Sequence, residues 1–172
     1  MQRLTKSGFL AVALLLVTAG SSVSETDSES AIAPQILNAH NLLRAEVGVA
    51  PLAWSDTLAT SAQDWADHLA ARDEFTHSTG DTYGENLWKG TAGHYSLTDM
   101  VNSWGEEKQY FNPGNPFPDV STTGNWADVG HYTQIVWRDT VEVGCGLASG
   151  NGWDVLVCQY APPGNYQGER PY

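Results

Sequence analysis

The sequence predicts an α+β domain or a three-layer sandwich, with helices first and antiparallel strands last. Apolar residues recur at helical spacing as far as Phe111, and from Tyr132 onward the pattern shortens to runs rich in β-branched and aromatic residues. A length of 172 residues, 41% of them hydrophobic, suits one domain with one core.

The first residues read as a targeting segment. Arg3 and Lys6 precede the apolar run Phe9–Val17, which is too short to span a bilayer, and the small residues Ala19–Ser22 follow. Residues 1–23 are therefore expected to be a secretory signal peptide. No Cys stands at the expected cleavage point, so neither a lipoprotein nor a stable membrane anchor is expected. Removing Arg3 and Lys6, and no acid, leaves six cations against 20 acids, a net charge near −14. Such a surface repels phosphate backbones and anionic lipids, which argues against nucleic acid as a partner. The expected location is secreted and extracellular, or periplasmic in a Gram-negative cell.

Residues 24–33 are polar and acidic and read as a flexible leader, and the domain is expected over 34–172. Pro34 suits the opening of a helix in which Ile36, His40, Leu43 and Val47 share a face and which Gly48 ends. Ser55 suits the N-cap of a second helix, with the stripe Leu58, Ala62, Trp65, Ala66 and Leu69. Ser96 and Asp99 form a capping-box pattern at the head of a third, whose stripe is Leu97, Met100, Val101, Trp104 and Phe111. Residues 112–128 are a long loop with three Pro and two Gly.

Strands are expected over 132–137, 141–147 and 153–160, with residues 148–152 turning between the last two. Pairing those two so that Leu147 faces Leu156 brings Cys145 opposite Cys158. Cross-strand partners can bridge, and export favours oxidation, so a Cys145–Cys158 disulfide is expected. Two cysteines are too few for a thiolate zinc site.

Four polar residues stand out. Glu107 follows Trp104 by three positions and Met100 by seven, which sets it beside the buried stripe, whereas Glu106 is rotated about 100° away. A carboxylate on that face needs a partner. His131 and His77 lie at element ends, where sites are often built. Glu85 follows Gly84 in a tight Gly-Glu-Asn-Leu segment. Spacing alone gives no helix-borne His-x-x-x-His zinc pair, and no nucleophile elbow or phosphate loop is present. His40, His68 and His94 read as ordinary polar positions.

Several segments together resemble the CAP superfamily of cysteine-rich secretory, antigen 5 and pathogenesis-related proteins. They are His40–Arg44, Gly84–Leu87, Gly130–Thr140 and Leu156–Tyr166. The resemblance covers residues 36–172. It implies a three-layer α-β-α sandwich with a central antiparallel sheet, and a cleft holding His77, Glu85, Glu107 and His131. It also implies a divalent cation, Zn2+ or another, at those four residues. Many members carry six or more Cys and an extra Cys-rich tail; this chain has two Cys and lacks the tail, so channel blocking is not carried over.

Three functions follow as expectations. One is a secreted, non-enzymatic binding protein for a lipid, sterol or other small apolar ligand, with the divalent ion as cofactor. The second is a zinc-assisted hydrolase with Glu85 or Glu107 as general base. The third is a host-interaction or defence-related protein with a vestigial cleft.

Overall fold

The computed structural model describes residues 25–80 and 82–172, and the side chains from residue 32 onward. The expected signal peptide, residues 1–23, lies outside the described residues. The elements in chain order are α1 (Glu25–Glu46), β1 (Ala53–Trp54), α2 (Asp56–Arg72), β2 (Gly84–Thr91) and α3 (Leu97–Gly105). A 3-10 turn over Glu106–Tyr110 follows, then a second over Trp126–Asp128, α4 (Gly130–Ile135), β3 (Glu142–Gly150) and β4 (Trp153–Ala161).

The strands form one sheet in the order β1-β3-β4-β2. The β3–β4 and β4–β2 pairs are antiparallel, as expected, while the two-residue β1 adds a parallel edge to β3, so the sheet is mixed. The hairpin has the expected register, with Leu147 opposite Leu156 and Cys145 opposite Cys158. The two cysteines are bonded at 2.05 Å. Its turn is tighter than read: the strands continue to Gly150 and from Trp153. Only Asn151 (φ 53°) and Gly152 (φ 84°) turn, both in the left-handed region that a two-residue hairpin requires.

Strand periodicity sorts the core into two clusters. Val143, Cys145, Leu156, Cys158 and Tyr160 face α1, α3 and α4, while Ala148, Val155, Val157 and Leu87 face α2. Helices therefore cover both faces, and the three-layer sandwich holds. The α2 layer lies unusually close to β3. A Cβ on Gly144 would sit 2.2 Å from Ala59 N, and one on Gly146 2.3 Å from Gln63 Cα. Glycine at these two positions is a condition of the packing.

Three elements differ from the sequence reading. Helix α1 begins at Glu25, so Pro34 lies inside it rather than opening it, and the acidic stretch read as a leader is helical from Glu25. The third helix does have its capping box, but it tightens into the 3-10 turn at Glu106 instead of running to Phe111. Residues 130–135 form α4, not a strand. Tyr132 through Trp137 are all buried, and α4 is held at both ends by other elements. Glu107 Oε2 accepts from the backbone N–H of His131 and Tyr132, both at 3.0 Å. Arg44 Nη1 donates to the carbonyls of Ile135 (2.8 Å) and Trp137 (2.9 Å). Tertiary partners for the free groups of a helix end outweigh the strand propensity of this segment. Among the described residues no helix is long and apolar enough to cross a membrane.

Candidate functional site

The site is organised by the first residues of β2, an edge strand whose side chains alternate between the two helical layers. Gly84 makes room: a Cβ there would sit 2.1 Å from Gln134 Oε1. Glu85 turns toward the α2 layer, and Asn86 toward the α3–α4 layer. Leu87 returns to the α2 face and joins its core. One short segment thus supplies a group to each side of a cleft.

On the first side, Glu85 Oε1 accepts from His77 Nδ1 (2.8 Å) and from Ser78 N–H (2.9 Å). Its Oε2 accepts from Ser78 Oγ (2.7 Å) and Gln159 Nε2 (3.2 Å). The Glu85 side chain is 6% exposed and that of His77 62%. Burial pushes the Glu85 carboxyl up, but the bonds from His77, Ser78 and Gln159 outweigh it and hold the group below the usual carboxylate range.

On the second side, Glu107 Oε1 accepts from His131 Nδ1 at 2.6 Å while its other oxygen holds the start of α4. Glu106 is exposed, and Glu107 is half-buried beside Trp104. The reason is the 3-10 turn, in which residues three apart eclipse. Trp104 stacks on the His131 ring (5.9 Å, 20°). Beneath it, Asn86 Nδ2 donates to His131 O and to Tyr160 Oη, each at 3.1 Å. Tyr160 Oη also meets His40 Nε2 at 2.8 Å.

His40 is thus a buried part of this scaffold rather than an ordinary polar position. Burial lowers its imidazole from 6.5 to about 4; the bond to Ile36 O works against that, and Arg44 adds to it. The folded state keeps His40 neutral where the unfolded chain protonates it, so stability present above pH 6.5 is lost as the pH falls toward 4. The depressed Glu85 acts in the same direction at lower pH. Urea unfolding at pH 7 and pH 4 is expected to show a loss of about 3 kcal/mol from His40. An asparagine at position 40 should flatten that slope.

His77, Glu85 and His131 line one cleft of about 570 Å³, with Phe117, Trp126 and Tyr166 on its rim. Trp126 and Tyr166 are about half exposed. Glu107 reaches the cleft through His131. With each Nδ1–H donated to a carboxylate, neutral imidazole keeps its lone pair on Nε2, which no described residue engages in either ring. That is the arrangement in which histidines offer Nε2 to a metal. Two imidazole nitrogens lining one cleft are, by chemistry, donors of the type that suits a divalent ion. The carboxylates accept from four N–H or O–H donors on Glu85 and three on Glu107, and these bonds orient the rings. Among the described residues no three His, Cys, Asp or Glu side chains converge as a ready cation site.

Residues 37–160 match the model of the CAP family, described as the cysteine-rich secretory protein family. The chain belongs to this family. It is 46% identical over 137 residues to pathogenesis-related protein 1A of Nicotiana tabacum, covering 79% of this chain and 78% of that one. It is 40% identical to pathogenesis-related protein 1 of Arabidopsis thaliana, covering 79% and 80%. Among solved structures, venom allergen-like protein 4 of Schistosoma mansoni aligns with a TM-score of 0.61 at 26% identity, over 87% of this chain and 95% of that one. NaASP2, solved with Zn2+, aligns at 0.66 and 24% identity, over 81% and 83%. The CAP fold accounts for the sandwich.

Sequence reasoning missed Ser78, Asn86 and Gln159, which bond Glu85 or the His131 carbonyl, while Trp104, read only as part of the apolar stripe, also stacks on the His131 ring. Asn86 and Gln159 lie in the motif segments, but their roles depend on the pairing of β2 with β4, where Glu85 stands opposite Gln159 and Asn86 opposite Cys158.

Proposed function

We propose that this CAP-domain protein is a secreted, non-enzymatic binding protein. Its cleft takes a small apolar ligand, a lipid or sterol, beside a divalent ion held by Nε2 of His77 and His131. The observation that carries the reading is the cleft itself: two His–Glu pairs and a rim of exposed aromatic rings share one concavity. Imidazole nitrogens suit zinc, which when bound would supply a fixed positive charge and open coordination positions. Phe117 and Trp126, in edge contact at 5.4 Å, offer apolar surface at the mouth. Binding is favoured over hydrolysis because the carboxylates that a hydrolase would use as a base already accept three or four hydrogen bonds each. The names of the plant relatives, pathogenesis-related proteins, support a role in defence.

Dehydroergosterol and cis-parinaric acid, both fluorescent, test the reading by energy transfer from Trp126. At least one is expected to bind saturably, and Trp126→Ala to weaken it about tenfold or more. No saturable binding of either probe would count against an apolar ligand.

A further inference from the structure

The wall of the histidine cleft holds an amide oxygen with nothing to accept from, and a chain of hydrogen bonds fixes which atom of the amide it is. Ile36 O can only accept, so His40 Nδ1 carries the hydrogen of their 2.8 Å bond. His40 is neutral at pH 7, which leaves a lone pair on Nε2, and Tyr160 Oη must donate to it. Tyr160 has then used its one hydrogen, so it accepts from Asn86 Nδ2 at 3.1 Å. The other amide hydrogen of Asn86 goes to His131 O. The nitrogen is thereby assigned, and Asn86 Oδ1 accepts from no described residue.

Asn86 is 1% exposed, yet this oxygen is open. Among the described residues Gln159 Oε1 is the one buried side-chain polar atom that is both sealed from solvent and unpartnered. Asn86 Oδ1 is unpartnered too, so it is not sealed, and the cavity that Asn86 lines is the histidine cleft. A buried carbonyl in this position calls for a donor from outside the chain.

The same cleft presents two further lone pairs, Nε2 of His77 and of His131, because each ring gives its Nδ1–H to a carboxylate. Three acceptors thus share one concavity with no hydrogen of their own to offer. No Lys or Arg lines it, Glu85 behind His77 is held ionised, and the chain carries a net charge of −12. An anionic head is disfavoured and a cation favoured. The rings of Phe117, Trp126 and Tyr166 add faces that attract a cation and surface for an apolar chain. A primary ammonium group carries three hydrogens and one positive charge. We infer that the cleft takes the ammonium head of an aliphatic amine, whose N–H groups donate to Asn86 Oδ1 and to Nε2 of His77 and His131. This shares with the proposed function the cleft as the seat of an apolar ligand, but not the divalent ion, which would compete for the same nitrogens.

Calorimetric titration of octylammonium, octanol and octanoate into protein freed of metal with EDTA tests this. At about pH 8 the imidazoles are neutral and the amine is charged. Octylammonium is expected to bind saturably, with a Kd of roughly 1 mM or tighter and at least about tenfold tighter than octanol, and octanoate not to bind. Asn86→Leu should weaken the binding at least about tenfold, through the loss of one charge-assisted bond. His77→Ala, a change at a largely exposed side chain, should do the same and serves if Asn86→Leu does not fold. Binding of octylammonium by a parent that takes no zinc would support the inference and count only against the ion. No saturable binding of octylammonium, or binding no tighter than that of octanol, would overturn it. Binding that survives both substitutions would overturn it equally, by placing the amine elsewhere on the acidic surface.

Discussion

Arg44→Met is expected to cost roughly 3–5 kcal/mol of folding free energy, because four backbone carbonyls lose their donor at about 1 kcal/mol or more each. Arg44 is fully buried. Its Nε donates to Ala50 O (2.6 Å), Nη1 to Ile135 O and Trp137 O, and Nη2 to Thr140 O (3.0 Å). One guanidinium thus ties the end of α1 to the loop before β1 and to the C-terminal side of α4. Burial lowers its pKa to about 10, with Tyr160 acting against that, so it stays charged at neutral pH. Methionine keeps the bulk and leaves four carbonyls without their donor. Lysine keeps the charge but lacks the planar fork, and should recover less than half of the loss. Urea unfolding measures both. A loss under 1 kcal/mol for Arg44→Met would mean that α4 does not depend on this residue, contrary to the role given to it here.

The second large effect is expected at Glu107. Glu107→Gln replaces one of the two accepting oxygens with an amide nitrogen, so either the backbone N–H of His131 and Tyr132 or the His131 ring loses its acceptor. Charge-assisted bonds of this kind contribute about 1.5–3 kcal/mol, and a loss of that order in urea unfolding is expected. The affinity for zinc should fall about tenfold or more, because the ring loses its orientation. Glu106→Gln, an exposed change, should stay within about 0.5 kcal/mol and leave zinc binding unaltered. A larger effect at Glu106 than at Glu107 would contradict the geometry of the 3-10 turn.

Much of this architecture was legible in the residues. The stripe of α2 and the capping box at Ser96 are local signals, and the hairpin register followed from matching Leu147 to Leu156. The segment from Tyr132 to Trp137 was not legible as a helix. Its β-branched and aromatic residues report burial, and its helical form depends on Glu107 and Arg44, which lie 25 and 91 positions from the groups they hold. Glu107 was singled out by helical spacing, which placed it three residues after Trp104; the 3-10 turn preserves that relation although the helix itself ends at Gly105. His77 carries little local signal. Its pairing with Glu85 spans a loop, and only the family resemblance joined it to the other three. Gln159 could not be read at all without the register of β2 against β4.

Calorimetric titration of zinc into the parent, His77→Ala and His131→Ala tests the central claim most directly. The two rings come from segments 54 positions apart and line one cleft only in the folded protein. The expected result is saturable binding of about one ion per chain in the parent, weakened at least about tenfold by each single substitution. Absence of zinc binding in the parent, or binding that survives the loss of either histidine, would contradict the account and leave the two His–Glu pairs as hydrogen-bonded supports of the fold.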